Sequence, residues 1–181
     1  HYEAGDETER VAELVPDPLN PDNQVLRFQL SSSNVYQGNN PEEARIQMEL
    51  NDTPCLSELV QSMRVYFPSD SIDALSQYPD SIRGLSFFEA WNNASWSGEK
   101  NPFRVILGLR KPRGVGETVV FDAMGQREGL FGQYKASWIS TSGYPVPTDT
   151  WIDIDIYVLE GDTETGRVVM GLTQEGVERE L

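Results

Sequence analysis

The sequence predicts an all-β protein, built as an antiparallel β-sandwich or jelly roll. Apolar and polar residues alternate with period two in segment after segment, and turn-forming Gly, Pro, Asn and Asp clusters separate those segments. Only one short stretch has helical character. Many short strands with little helix indicate layered antiparallel sheets. The 181 residues suit one domain, 1–181, large enough to bury a core without disulfides.

Leu26, Phe28 and Leu30 alternate with Arg27 and Gln29, and Arg45 opens an unbroken alternation to Leu50. Met63, Val65 and Phe67 alternate with Arg64 and Tyr66. Further strands are expected at 86–92, 103–109, 117–122, 133–139, 151–159 and 167–173, nine in all. Residues 71–77 read as a helical turn capped by Asp70. The segment 160–166 links two strong strands and reads as a hairpin loop. Residues 175–181 are too polar to close a sandwich alone, so the expectation is that they lie over an edge or that the native protein continues past Leu181.

Twenty-nine Asp and Glu against fourteen Lys and Arg give a net charge of −15. That field repels nucleic acids and anionic membrane surfaces. Eleven of the cations are Arg and three are Lys. A low-Lys acidic surface suits salt tolerance, and Arg forks suit bidentate capture of carboxylate or sulfate. Cys55 is the single cysteine, which excludes an internal disulfide and fits a small buried hydrophobe. No run approaches the roughly 18 apolar residues of a membrane helix, so membrane insertion is not expected. The chain begins at His1, as a processed protein or excised domain would.

The segment order resembles the concanavalin A-like jelly rolls of the heparin-lyase and alginate-lyase type, including uncharacterised secreted bacterial proteins. The residues that carry it are Asn23-Gln24-Val25-Leu26-Arg27-Phe28, Ala44 through Leu50, Phe88-Glu89-Ala90-Trp91-Asn92-Asn93, Phe103 through Leu107, Trp151 through Tyr157, and Gly166-Arg167-Val168. The resemblance implies a secreted or cell-surface protein that handles an acidic polysaccharide by β-elimination at a uronate. It also implies that an Arg on the early strand, matched by Arg45, neutralises the carboxylate. Glu89 and Trp91 stand where the family has Gln or Asn and His, and the family's late tyrosine strand is expected beyond Leu181.

Alternation sorts side chains onto faces. Arg45, Gln47 and Glu49 share one, Phe87, Glu89 and Trp91 another, and Arg104, Ile106 and Gly108 a third. Trp151, Asp153, Asp155 and Tyr157 share a face opposite Ile152, Ile154, Ile156 and Val158. If the polar faces belong to one sheet they form a groove of carboxylates, arginines and aromatics suited to sugar rings and hydroxyls. The same faces would also serve as solvated ion-pair ladders. Glu89, among Phe87, Phe88, Ala90 and Trp91, is expected to be desolvated or paired with Arg104 or Arg45.

These residues leave three chemistries open. A lyase would use Arg45 or Arg104 against the uronate, with Tyr157 or Tyr134 as base, since His1 is the only histidine. A glycoside hydrolase would pair Glu89 with Asp153, Asp155 or Glu49. A non-catalytic glycan-binding module would hold the polysaccharide without cutting it, and a structural or adhesive surface domain would instead turn Trp91, Trp151 and Tyr157 toward a protein partner. Asp17, Asn20, Asp22, Asn23 and Asp162 offer hard oxygen ligands for Ca²⁺, although such clusters also build turns. Asn51-Asp52-Thr53 and Asn93-Ala94-Ser95 are glycosylation sequons.

Overall fold

The computed structural model describes residues 2–3, 10–31, 34–37, 40–43, 45–46, 48, 57–92, 103–128, 134–162 and 164–181. Gln47, Glu49, Cys55, His1 and both sequons lie wholly or partly outside them. The chain divides into two compact units, His1–Thr53 and Pro54–Leu181.

Among its described residues the first unit holds three antiparallel two-stranded ribbons. β1 (Tyr2–Glu3) pairs β6 (Arg45–Ile46), β2 (Arg10–Pro16) pairs β3 (Gln24–Leu30), and β4 (Asn34–Gln37) pairs β5 (Asn40–Glu43). Leu14 faces Leu26 and Ala12 faces Phe28 across β2 and β3, and directly opposite Arg27 and Glu13 form an ion pair. Despite its alternation, β3 leaves Leu26, Phe28 and Leu30 exposed.

The second unit contains β7 (Glu58–Tyr66), α1 (Ser69–Gln77), β8 (Ile82–Asn92), β9 (Phe103–Lys111), β10 (Val120–Glu128), β11 (Tyr134–Pro145), β12 (Trp151–Leu159), β13 (Arg167–Gln174) and β14 (Val177–Glu180). These strands build two four-stranded antiparallel sheets, in the orders β11-β10-β9-β8 and β14-β13-β12-β7. Their inner faces share one core. Leu107 and Phe121 come from the first sheet and Ile152, Ile154 and Leu172 from the second, and all five are fully buried. The result is a β-sandwich, as two faces of alternating side chains require.

β12 has the bounds expected from its alternation. Elsewhere particular contacts move the edges. β10 starts three residues after the expected segment and runs on to Glu128, through Gly125. A Cβ on Gly125 would lie 2.2 Å from Trp138 Nε1, so this glycine makes room for an indole inside the sheet. Within residues 175–181, Val177–Glu180 form the edge strand β14, reached through a tight turn in which Glu175 (φ 50°) and Gly176 (φ 77°) both adopt left-handed backbone.

The helix begins at Ser69, and Asp70 sits in its first turn rather than at its cap. Asp149 fills that role from across the sequence: its Oδ1 accepts the Ser69 amide at 3.0 Å and the Tyr66 hydroxyl at 3.2 Å. Hydrogen bonding from the Ser69 side chain, then from its amide and from Tyr66, holds the Asp149 carboxyl below the usual carboxylate range. Lys111 is fully buried, and its ammonium donates to the carbonyls of Pro112 (2.8 Å) and Gly114 (2.6 Å), which secures the loop after β9. No described helix is long and apolar enough to cross a membrane.

Candidate functional site

The polar faces do not belong to one sheet. Glu89, Trp91 and Arg104 stand on the outer face of the β8–β11 sheet, and Trp151, Asp153, Asp155 and Tyr157 on the outer face of the other. The shared core lies between the two sets. Arg45 is on β6 of the first unit, in register with Glu3, and Gln47 and Glu49 fall outside the described residues.

A bulge shapes the first face. The register of β8 against β9 shifts between Ser86 and Phe88, so the consecutive Phe87 and Phe88 both pack inward. Phe87 meets the rings of Phe67 and Phe121 in edge contacts at 6.4 and 6.1 Å. Its expected place beside Glu89 and Trp91 is thereby corrected: strict alternation fails where a strand carries an extra residue. The bulge needs a glycine on the neighbouring strand. A Cβ on Gly108 would stand 2.7 Å from the Leu85 carbonyl oxygen.

Beyond the bulge, cross-strand neighbours form rows. Trp91, Arg104 and Gln126 make one, Glu89, Ile106, Met124 and Ile139 the next, and Ser86, Gly108, Asp122 and Thr141 a third. Arg104 clamps Glu89 through Nε at 3.2 Å to Oε2 and Nη2 at 2.7 and 2.8 Å to the two oxygens. Ser86 Oγ donates to Oε1 at 3.0 Å. The guanidinium also lies 5.3 Å from the centre of the Trp91 ring. Arg104 and Glu89 are 16% and 21% exposed, so this face is recessed, and Glu89 is paired rather than isolated.

Asp122 occupies the middle of the same face. Burial pushes its carboxyl above the usual range, and Arg110 only partly offsets this. Arg110 reaches Thr141 Oγ1 at 3.4 Å. Gln126 Oε1 is buried and has no hydrogen-bond partner among the described residues, an arrangement that costs free energy. Sequence reasoning missed Arg110, Asp122 and Gln126 as site residues. The alternation Asp122-x-Met124-x-Gln126 was a usable signal, missed because the expected strand ends at Asp122.

The second face is open. Asp153 lies 3.7 Å from Arg64 Nε, with both side chains more than half exposed. Arg64 also covers the Trp151 ring at 5.6 Å, and Tyr66 tilts against that ring at 5.5 Å. Ser62 donates to Asp155 at 2.5 Å. Tyr157 donates its hydroxyl to Glu58 Oε1 at 2.9 Å, and that bond raises the phenol above its ordinary value. A phenol held as a donor to a carboxylate is poorly set to act as a base.

The Ca²⁺ candidates are engaged in turns. Asp17 accepts from the Leu19 amide and the Asn23 side chain, and Asp162 from the amides of Glu164 and Thr165 and the Thr165 hydroxyl. Among the described residues no three His, Cys, Asp or Glu side chains cluster as a metal site would require. No family model, curated protein or solved structure gives a significant match to this chain.

Proposed function

We propose that this chain is a secreted or cell-surface carbohydrate-handling β-sandwich of the concanavalin A-like jelly-roll type, which contacts polysaccharide through the outer face of β8–β11. The observation that carries this reading is the cluster formed by the Trp91 ring, the Arg104 fork and Glu89 from the neighbouring row. A flat ring offers a surface for sugar C–H groups, and the clamped ion pair beside it offers donors and acceptors for hydroxyls. On this face Arg104 and Arg110 balance Glu89 and Asp122, whereas on the other Arg64 stands against both Asp153 and Asp155, so an acidic glycan meets less repulsion on the β8–β11 face.

Binding is better supported than β-elimination. A lyase needs a carboxylate neutraliser and a base on the same sugar, whereas Arg104 is committed to Glu89 and Tyr157 stands on the opposite face. The test is gel retardation with alginate, heparin-type, ulvan-type and neutral β-glucan polysaccharides, read together with ultraviolet absorbance of unsaturated ends. Retardation by at least one glycan, lost in Trp91→Ala, is the expected result. A folded protein retarded by none of them overturns the reading, and new absorbance restores the lyase.

A further inference from the structure

We propose that β7 is a self-association edge, along which a second copy of this chain lays its own β7 antiparallel about a two-fold axis at Gln61. Among the described residues the second unit has four sheet edges, β7, β8, β11 and β14. An edge offers its backbone groups to another strand unless bulges, bends or like charges protect it. The β8 ladder shifts register twice. So does the ladder of β11, which also carries Gly143 in left-handed backbone (φ 67°). β14 sets Glu178 and Glu180 on one face of a short strand. β7 has none of these features and follows β12 in register from Glu58 to Tyr66.

Its side chains also leave apolar surface uncovered. Leu59, Met63 and Val65 face the core but are only partly buried, whereas Ile152 and Ile154 on the adjacent β12 are fully buried. On the outer face Val60 is 69% exposed. A strand laid along β7 covers both sets.

The charge pattern selects a second copy as that strand. β7 carries one acid, Glu58, and one base, Arg64, on the same face and equally far from Gln61. Two-fold pairing at Gln61 sets Glu58 opposite the partner's Arg64, and Arg64 opposite the partner's Glu58. It sets Val60 opposite the partner's Ser62 on the outer face and Leu59 opposite the partner's Met63 on the inner one. Opposite charges facing each other stabilise an antiparallel pair, and no like charges face each other in this register. Arg64 is 66% exposed, with a single 3.7 Å approach to Asp153, so its guanidinium is accessible to a partner. Glu58 accepts the Tyr157 hydroxyl through Oε1, and Oε2 remains for the guanidinium. Two copies that each carry −15 repel least where the edge is locally neutral.

The size of the contact sets its strength. Residues 58–64 span about 24 Å at the strand rise, and two sheets with their outer side chains are about 20 Å thick. Each copy then covers roughly 500 Å², about 1,000 Å² for the pair, which marks a reversible dimer.

The test is sedimentation velocity of the whole chain from about 1 to about 200 µM, with folding checked by circular dichroism. A monomer–dimer equilibrium is expected in that range. Arg64→Glu sets two carboxylates opposite each other and Glu58→Arg two guanidiniums, and each should weaken the dimer at least ~10-fold. The double variant with both changes restores opposite charges in the same register and should return the dimer to near wild-type strength. If one single variant does not fold, the other and the double variant carry the decision. A monomer throughout, or a dimer indifferent to both single changes, overturns the proposal. In the second case, loss in Phe28→Glu would assign the contact to the exposed apolar side of β3. Weakening by the single changes without recovery in the double variant overturns the register at Gln61.

Discussion

The two outer faces of the sandwich are made of the same ingredients and behave differently. Each carries arginine, acidic residues, a tryptophan and a central glycine. On the β8–β11 face the arginine and glutamate are about four-fifths buried and joined by three short bonds. On the β12 face the corresponding contact is a single 3.7 Å approach between exposed side chains. Residue type does not separate a site from a solvated ladder. Burial and hydrogen-bond geometry do, and on the β8–β11 face they occur beside a bulge that sets the β8 backbone against Gly108.

The glycines give the largest contrast. Gly108→Ala forces a methyl to 2.7 Å from the Leu85 carbonyl oxygen, whereas the same change at Gly171 meets nothing closer than 3.9 Å. Urea unfolding is expected to show a loss of about 3 kcal/mol for the first and within about 0.5 kcal/mol of wild type for the second. Equal effects would mean that the bulge does not constrain the β8–β11 face.

The arginines come next. Arg104→Ala leaves Glu89 without its clamp, and after discounting for partial exposure the expected cost is about 2 kcal/mol. Arg64→Ala on the open face should cost under about 0.5 kcal/mol. A double-mutant cycle with Glu89→Gln and with Asp153→Asn sharpens this, since coupling should be measurable only in the first pair.

Much of the second unit was legible because alternation reports which side chains face a core. Ile152, Ile154, Ile156 and Val158 against Trp151, Asp153, Asp155 and Tyr157 left one reading, and the structure has it. Which sheet a strand joins is set by pairing between distant segments, such as β7 with β12, and period-two patterns carry no record of it. That is why the candidate residues could be sorted into polar faces but not assigned to one side of the sandwich. The local errors have local causes. Phe87 was turned inward by a bulge, and Gln126 was lost because the expected strand stopped at Asp122, short of Gly125, whose missing side chain leaves room for Trp138.

Titration of stability in acid should separate the helix-capping Asp149 from Asp122 on the β8–β11 face by sign, with a smaller effect. The Asp149 carboxyl is held low, so its stabilisation is present above its ordinary value near 3.8 and is lost as pH falls through its lower folded value. The Asp122 carboxyl is raised, so its contribution runs the other way: stability falls as pH climbs from about 3.8 through the raised folded value. Unfolding followed from pH 3 to 6 should therefore show Asp149→Asn removing part of the acid sensitivity and Asp122→Asn removing the opposing slope. Identical pH profiles for wild type and Asp122→Asn would place that carboxyl in ordinary solvent.

The comparison reduces to which face meets sugar, and the most direct measurement is gel retardation of Trp91→Ala and Trp151→Ala by a glycan that retards wild type. The account predicts that Trp91→Ala loses retardation and Trp151→Ala keeps it, both remaining folded by circular dichroism. Loss in Trp151→Ala with retention in Trp91→Ala would contradict it and move the contact to the open face of β12.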